Sequence, residues 1–191
     1  LGENGCGKTT LLRLIARLYR PTGGAITQYI DEKFKQKPKG SKAWYKKVGV
    51  VYQNPDYQLF MPTVRQEISF GAKSEEYAAE IAELFGVKHL WERHPQSLSE
   101  GQKRRVSIAA VAACEPEVLL LDEPTVGQDY DGLCALVEIL NKLHMQSGNT
   151  MITITHDVRC AEALCDKAYL IENGIVAKCG GKELVREYFL R

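Results

Sequence analysis

Apolar and polar positions along this chain switch repeatedly between a helical period and short continuous runs, and the switches mark out its elements. Residues 10–18 carry apolar groups at helical spacing, and the Pro21 to Gly24 cluster then breaks the pattern. Residues 25–30 read as a short strand, and Val48, Val50, Val51 and Tyr52 form a β-rich run that predicts a buried one. Helices are expected over 64–72 and 75–85. The second has a stripe of Tyr77, Ala78, Ile81, Leu84 and Phe85, with Gly86 where a C-cap glycine belongs. Ser99 and Gln102 fit a capping box that opens a helix reaching about Cys114. Val118, Leu119, Leu120 and Leu121 form an unbroken apolar run, the mark of a strand buried on both faces. An amphipathic helix over 131–146, a strand over 150–155 and a short helix over 158–165 follow. The chain closes with strands 167–172 and 175–180 about Asn173-Gly174, a strong two-residue hairpin signal, and a helix over 181–189. Strands alternating with helices predict an α/β fold on a mainly parallel sheet.

Composition narrows this picture. The 191 residues are 45% hydrophobic and 26% charged, enough for one domain with a sizeable core, and no apolar run is long enough to span a bilayer. A net charge of +1 gives no overall field to recruit nucleic acid or anionic lipid. The six cysteines have neither C-x-x-C nor metal-ligand spacing. They are expected as small hydrophobes inside elements, in a reducing cytoplasm. Lysines crowd residues 31–47, with Trp44 and Tyr45 as possible base-stacking groups. The run lacks periodicity, and a solvated loop is the favoured reading over a nucleic-acid patch.

The first ten residues carry the most specific chemistry. Gly2, Gly7, Lys8 and Thr9 fit G-x-x-x-x-G-K-[ST], a phosphate-cradling loop feeding a helix. Gly2, Gly5 and Gly7 let backbone N–H groups converge on phosphate oxygens, Lys8 reaches the β- and γ-phosphates, and the Thr9 hydroxyl suits Mg²⁺. Glu3, Asn4, Cys6 and Thr10 complete the candidate ATP-binding set. Because such a loop normally follows a buried strand, antiparallel N-terminal strands are expected to precede Leu1 in a longer protein. Asp122 and Glu123 follow the buried run at its carboxyl end, where an open parallel sheet binds ligands. Asp122 is the candidate Mg²⁺ ligand, and Glu123 the group that orients or deprotonates water. His156 ends the next strand on the same edge, placed to sense the γ-phosphate. The segment 54–64 mixes turn formers with Leu59, Phe60 and Met61, which would be either an exposed docking patch or the core of a small subdomain.

Taken together, these stretches resemble the nucleotide-binding domain of ABC ATPases, a P-loop NTPase fold. The Walker A loop, Gln53, Leu98-Ser99-Glu100-Gly101-Gln102, Leu120 to Thr125, Gln128-Asp129 and His156 occur in that family's order. Gln53-Asn54-Pro55 with Gln58-Leu59-Phe60 and Pro62-Thr63-Val64 is most similar to the ATPases of energy-coupling factor (ECF) importers. These take up a vitamin or transition-metal ion. The resemblance implies one domain, with 1–53 and 115–191 as a RecA-like core and about 54–114 as a helical subdomain. It implies ATP hydrolysis, with Gln53 serving both metal and catalysis. A second ATPase domain would pack head to tail, so that Ser99, Gly101, Gln102 and Asp129 meet the partner's ATP. It further implies a transmembrane coupling subunit docked near 57–64, a membrane-bound capture subunit, and a place on the cytoplasmic face of the cell membrane. Glu100 departs from the family's signature, which has glycine there. The alternative is a non-transport ABC ATPase acting on nucleic acid or ribosomes. The roughly 45 residues between Gln53 and Leu98 are too few for the long coiled coil of chromosome and repair ATPases.

Overall fold

A computed structural model describes residues 1–26 and 44–190. The predicted strand over 25–30 beyond Ile26, and the lysine-rich run as far as residue 43, lie outside the described residues.

Three parallel strands form the centre: β1 (Val48–Val51), β2 (Val118–Asp122) and β3 (Thr150–Ile154), in the order β1-β2-β3. Every residue of β2 is buried, as its unbroken apolar run requires of a strand with neighbours on both edges and helices on both faces. Its side chains alternate between two cores. Val118 and Leu120 pack with Leu12, Ala16 and Ile154 beneath α1 (Lys8–Ile15). Leu119 and Leu121 face the larger core, built from α2 (Val64–Ser69), α3 (Glu75–Leu84), α4 (Glu100–Ala112) and α5 (Tyr130–Ser147). At about 25 cal/mol per Å² of apolar surface, full burial of each leucine contributes roughly 2 kcal/mol. β1 is less buried than expected: only Val51 is fully enclosed, because β2 is its one ladder partner among the described residues.

The remaining elements are α6 (Val158–Leu164), the antiparallel pair β4 (Ala168–Glu172) and β5 (Ile175–Gly180), and α7 (Lys182–Phe189). Asn173 and Gly174 both have positive φ, 51° and 79°, which is the type I′ geometry that Asn-Gly favours. Local signals elsewhere were equally decisive. Ser99 and Gln102 close the predicted capping box. Gly86, at φ 66°, ends α3 while Val87 N–H donates to the Ala82 carbonyl at 2.8 Å.

Two expectations need correction, on the first helix and the cysteines, and two open readings are decided, on Trp44 and the apolar segment. The first helix stops at Ile15, and Arg17 turns the chain at φ 58°. Trp44 is buried, its Nε1 donating to the Ile15 carbonyl at 3.0 Å and its ring lying under the Arg17 guanidinium, so it offers no platform for a base. Of the cysteines only Cys160 is buried, which pushes its thiol up to about 12, whereas Cys114, Cys134 and Cys179 are exposed. Finally, the apolar segment after Gln53 is split. Leu59 is 5% exposed and belongs to the large core, whereas Tyr57, Phe60 and Phe70 are 80%, 68% and 70% exposed. Phe60 and Phe70 meet edge to face, 5.6 Å between centroids.

This division is testable by urea unfolding. Leu59→Asp is expected to lose about 3 kcal/mol or more, from an unpaired buried charge, while Phe60→Asp stays within roughly 0.5 kcal/mol of the parent.

Candidate functional site

The phosphate-loop candidate is built from backbone conformations that only glycine adopts readily. Gly2, Gly5 and Gly7 have φ of 141°, 81° and 106°. A Cβ on Gly2 would lie 2.4 Å from the Ile171 carbonyl oxygen, so the loop also needs glycine there for space. Gly7 is the N-cap of α1, and its left-handed geometry directs the chain from loop to helix with the first-turn N–H groups facing the loop. Lys8 is buried, its ammonium donating to the carbonyls of Gly2 and Glu3, each at 2.8 Å. The cation is thus held at the loop itself. Cys6 Sγ lies 3.9 Å from the same ammonium.

Parallel register brings the other candidates to this edge. Val51, Leu121 and Thr153 are neighbours across the sheet, so the residues that follow, Gln53, Asp122, Glu123 and His156, emerge along one rim. Thr9 sits on α1 above β2, and its hydroxyl donates to Asp122 Oδ2 at 3.1 Å. Burial holds the Asp122 carboxyl above its ordinary range, and the Thr9 hydroxyl, Arg13, Arg104 and Lys8 each pull it back. Two hard oxygen donors side by side in a buried setting suit Mg²⁺, which takes one or two protein groups and completes its shell with water and phosphate.

Glu123 is the most constrained residue of the rim. Its φ is 51°, uncommon for a residue with a side chain and a conformation that clusters at functional sites. Its N–H donates to the Ile154 carbonyl at 2.9 Å, locking it against β3. The carboxylate is buried, with Oε2 accepting the His156 N–H at 3.1 Å and Oε1 lying 3.3 Å from His156 Nε2. Burial raises its pKa, opposed by the His156 N–H and then by the imidazole charge. A carboxyl tuned upwards and oriented by a half-exposed histidine has the attributes of a general base. Lys8, Thr9, Asp122, Glu123 and His156 therefore gather around one place.

Gln53 shares that rim but has no contact with this cluster among those described, and the remaining candidates lie on other surfaces. Gln53 is exposed at the end of β1, and its carbonyl accepts from the Arg104 guanidinium, as does Tyr52's at 2.6 Å. Ser99 and Gln102 are engaged with each other across the α4 N-terminus. The Gly101 carbonyl accepts from Gln128 Nε2 at 2.9 Å, and a Cβ on Gly101 would come within 2.9 Å of the Gly127 carbonyl oxygen. Asp129 caps α5, accepting from Gly132 N–H at 2.8 Å. Glu100 is exposed, 3.6 Å from Lys103, whose ammonium also pairs with Asp56 at 2.8 Å. Sequence reasoning passed over Arg104, which is fully buried, and Glu67, whose buried carboxylate accepts from the N–H groups of Phe60 and Met61 at 2.9 and 2.7 Å. Nothing in their local patterns separates them from ordinary exposed charges on a helix.

Comparison with known proteins places this geometry. The profile of the ABC transporter family matches residues 1–126. The chain is 40% identical over 190 residues to the energy-coupling factor transporter ATP-binding protein EcfA2 of Lactococcus lactis subsp. cremoris, covering 94% of this chain and 66% of that protein. It is 37% identical to the EcfA protein of Methanoculleus marisnigri, covering 100% and 70%. The chain thus spans about two thirds of the length of these relatives. Among solved structures, cbiO1 from Clostridium perfringens, described as part of the ABC transporter complex cbiONQ, superposes with a TM-score of 0.79 at 34% identity, over 100% of this chain and 82% of that one. The ATP-binding cassette MJ0796, a dimer in a post-hydrolysis state bound to ADP and Pi, gives 0.79 at 26% identity, over 95% and 83%.

The electrostatics of Glu123 yield a stability test that needs no nucleotide. Its folded pKa is raised, so its ionised form weakens the fold at neutral pH, and this penalty fades as pH falls to the ordinary carboxylate range, about 4.3. Glu123→Gln is expected to raise the melting temperature at pH 7, by about 2–4 °C per kcal/mol relieved, and to lose that gain near pH 4. Thermal melts across pH would check it.

Proposed function

This chain belongs to the ABC transporter family of ATP-binding proteins, and on that footing we propose that it hydrolyses ATP to drive an energy-coupling factor importer. The observation that carries the reading is the convergence of Lys8, Thr9, Asp122, Glu123 and His156 on one rim. Around that site we assign 1–53 and 115–191 to the nucleotide-binding core and 54–114 to a helical subdomain.

In the proposed mechanism, N–H groups of residues 2–10 and the Lys8 ammonium hold the phosphates of ATP. Thr9, Asp122 and Gln53 would hold Mg²⁺, which neutralises charge on the phosphate oxygens. Glu123 orients a water molecule and accepts its proton as the water oxygen attacks the γ-phosphorus. The bond to the β-phosphate oxygen breaks, and ADP and inorganic phosphate leave. His156 fixes the Glu123 carboxylate through its N–H and its ring, and is close enough to the rim to register the departing phosphate.

Partners follow from what the single chain leaves outward. Ser99, Gly101, Gln102 and Asp129 are held away from the chain's own phosphate loop, which supports a head-to-tail arrangement in which they face a second ATPase domain's nucleotide. The α4 N-terminus, capped by Ser99, presents positive dipole there. Tyr57, Phe60 and Phe70 are exposed, and the two phenylalanines line an apolar cavity of about 220 Å³ between β1, α2 and α4, which supports docking of a membrane-embedded coupling subunit. A membrane-bound subunit would capture the vitamin or metal ion. Among the described residues no helix is long and apolar enough to cross a membrane, and attachment at the cytoplasmic face through that subunit fits.

Lys8→Ala is expected to abolish ATP binding in an equilibrium assay. Glu123→Gln should keep binding but slow steady-state turnover at least about a hundredfold. Unchanged turnover in Glu123→Gln would remove its assigned role. Phe60→Asp and Phe70→Asp should each sharply reduce co-purification with the membrane subunits and leave soluble ATPase activity intact.

A further inference from the structure

One hairpin grips both ends of the phosphate loop. At the near end, Leu1 N–H donates to the Tyr169 carbonyl at 2.8 Å, Ile171 N–H donates to the Leu1 carbonyl at 2.9 Å, and the Ile171 carbonyl abuts Gly2. At the far end, Gly174 N–H donates to the Cys6 carbonyl at 3.1 Å, and a Cβ on Gly7 would lie in contact with the Gly174 Cα, 3.8 Å from it. β4 thus holds the entry to the loop and the turn between β4 and β5 holds its exit. No residue of β4, β5 or their turn belongs to the phosphate-binding motif.

Peptide geometry makes these contacts more than packing. The carbonyl and N–H of a trans peptide unit point in opposite directions. Holding the Cys6 carbonyl against the hairpin therefore turns the Gly7 N–H away from it. Holding the Leu1 carbonyl does the same for the Gly2 N–H. These are the loop's terminal N–H groups, and Lys8 folds onto the loop between them. The far contact depends on the turn. With φ of 51° and 79°, the Asn173-Gly174 turn leaves the Gly174 N–H free of the β4–β5 ladder, and it donates outward to Cys6.

We propose that the Asn173-Gly174 turn is a positioning element for nucleotide, presetting the phosphate loop through the Gly174 N–H. This rests on the nucleotide-binding reading and adds residues 169–174 to its machinery. Gly174 touches no substrate; it acts through the Cys6–Gly7 peptide.

Cys165 allows a direct test, because the segment beginning there can be synthesised and ligated to 1–164. Three proteins are compared: the all-amide chain, one with glycolic acid at 174, which replaces the N–H by an ester oxygen, and one with D-alanine at 174. D-Alanine keeps the N–H and accepts positive φ. The ester is expected to bind ATP and ADP roughly three- to tenfold more weakly, the worth of one hydrogen bond, while the nucleotide-free protein stays fully folded at the assay temperature, its melting temperature lower by no more than the few degrees that bond is worth. D-Alanine should match the all-amide chain. Equal affinity of ester and amide, or a loss of affinity no larger than the unfolded fraction accounts for, overturns the positioning role. Failure of the all-amide chain to bind ATP overturns the nucleotide reading and this role with it.

Discussion

Everything at the candidate site depends on one constraint: three parallel strands in register, ending together beneath the N-terminus of α1. Because Val51, Leu121 and Thr153 lie abreast, register brings Asp122, Glu123 and His156 to the mouth of the phosphate loop, and only the aim of the Glu123 side chain needs an unusual backbone. A one-residue slip of β2 would exchange its two faces, and Asp122 would no longer meet Thr9. The leucines that fix this register, alternating between the core under α1 and the core under α4 and α5, are therefore as much a part of the site as the carboxylates they deliver.

The rim places two acids side by side and treats them differently. Burial raises the Asp122 carboxyl, and the Thr9 hydroxyl, Arg13, Arg104 and Lys8 partly offset it, a setting in which a cation would complete the balance and which suits a metal ligand. Glu123 is held by a strained backbone, a strand carbonyl and a histidine, which suit a group that must take up a proton and release it. The cost of the positive φ, of order 1 kcal/mol, is stability given up to point that carboxylate along the sheet edge. Around this pocket Ser99, Glu100, Asp129 and the exposed aromatics Tyr57, Phe60 and Phe70 face outward, which is the distribution the proposed assembly calls for.

Much of this was legible in the residues. The glycine-lysine-threonine loop, the unbroken run before Asp122, the Ser99–Gln102 box and the Asn173-Gly174 turn are local signals with one physical reading each, and the fold follows them. What escaped was non-local. Leu59 and Phe60 are adjacent apolar residues, and only the packing of α2 and α4 decides that one is core and the other surface. Trp44 looked like an exposed aromatic among lysines until the Ile15 carbonyl supplied its partner. Exposure of Cys114, Cys134 and Cys179 depends on which helix or strand face meets the core. The hairpin's grip on the phosphate loop joins residues about 170 positions apart, beyond the reach of any periodicity.

The most direct test of the central claim is a crystal structure of the Glu123→Gln protein with ATP and Mn²⁺, the metal located by its anomalous signal. Convergence of one nucleotide and one metal on this rim predicts manganese within about 2.0–2.3 Å of Thr9 Oγ1, close to Asp122, with the β- and γ-phosphates in the loop of residues 2–9. Nucleotide bound elsewhere, or manganese remote from Thr9 and Asp122, would contradict it.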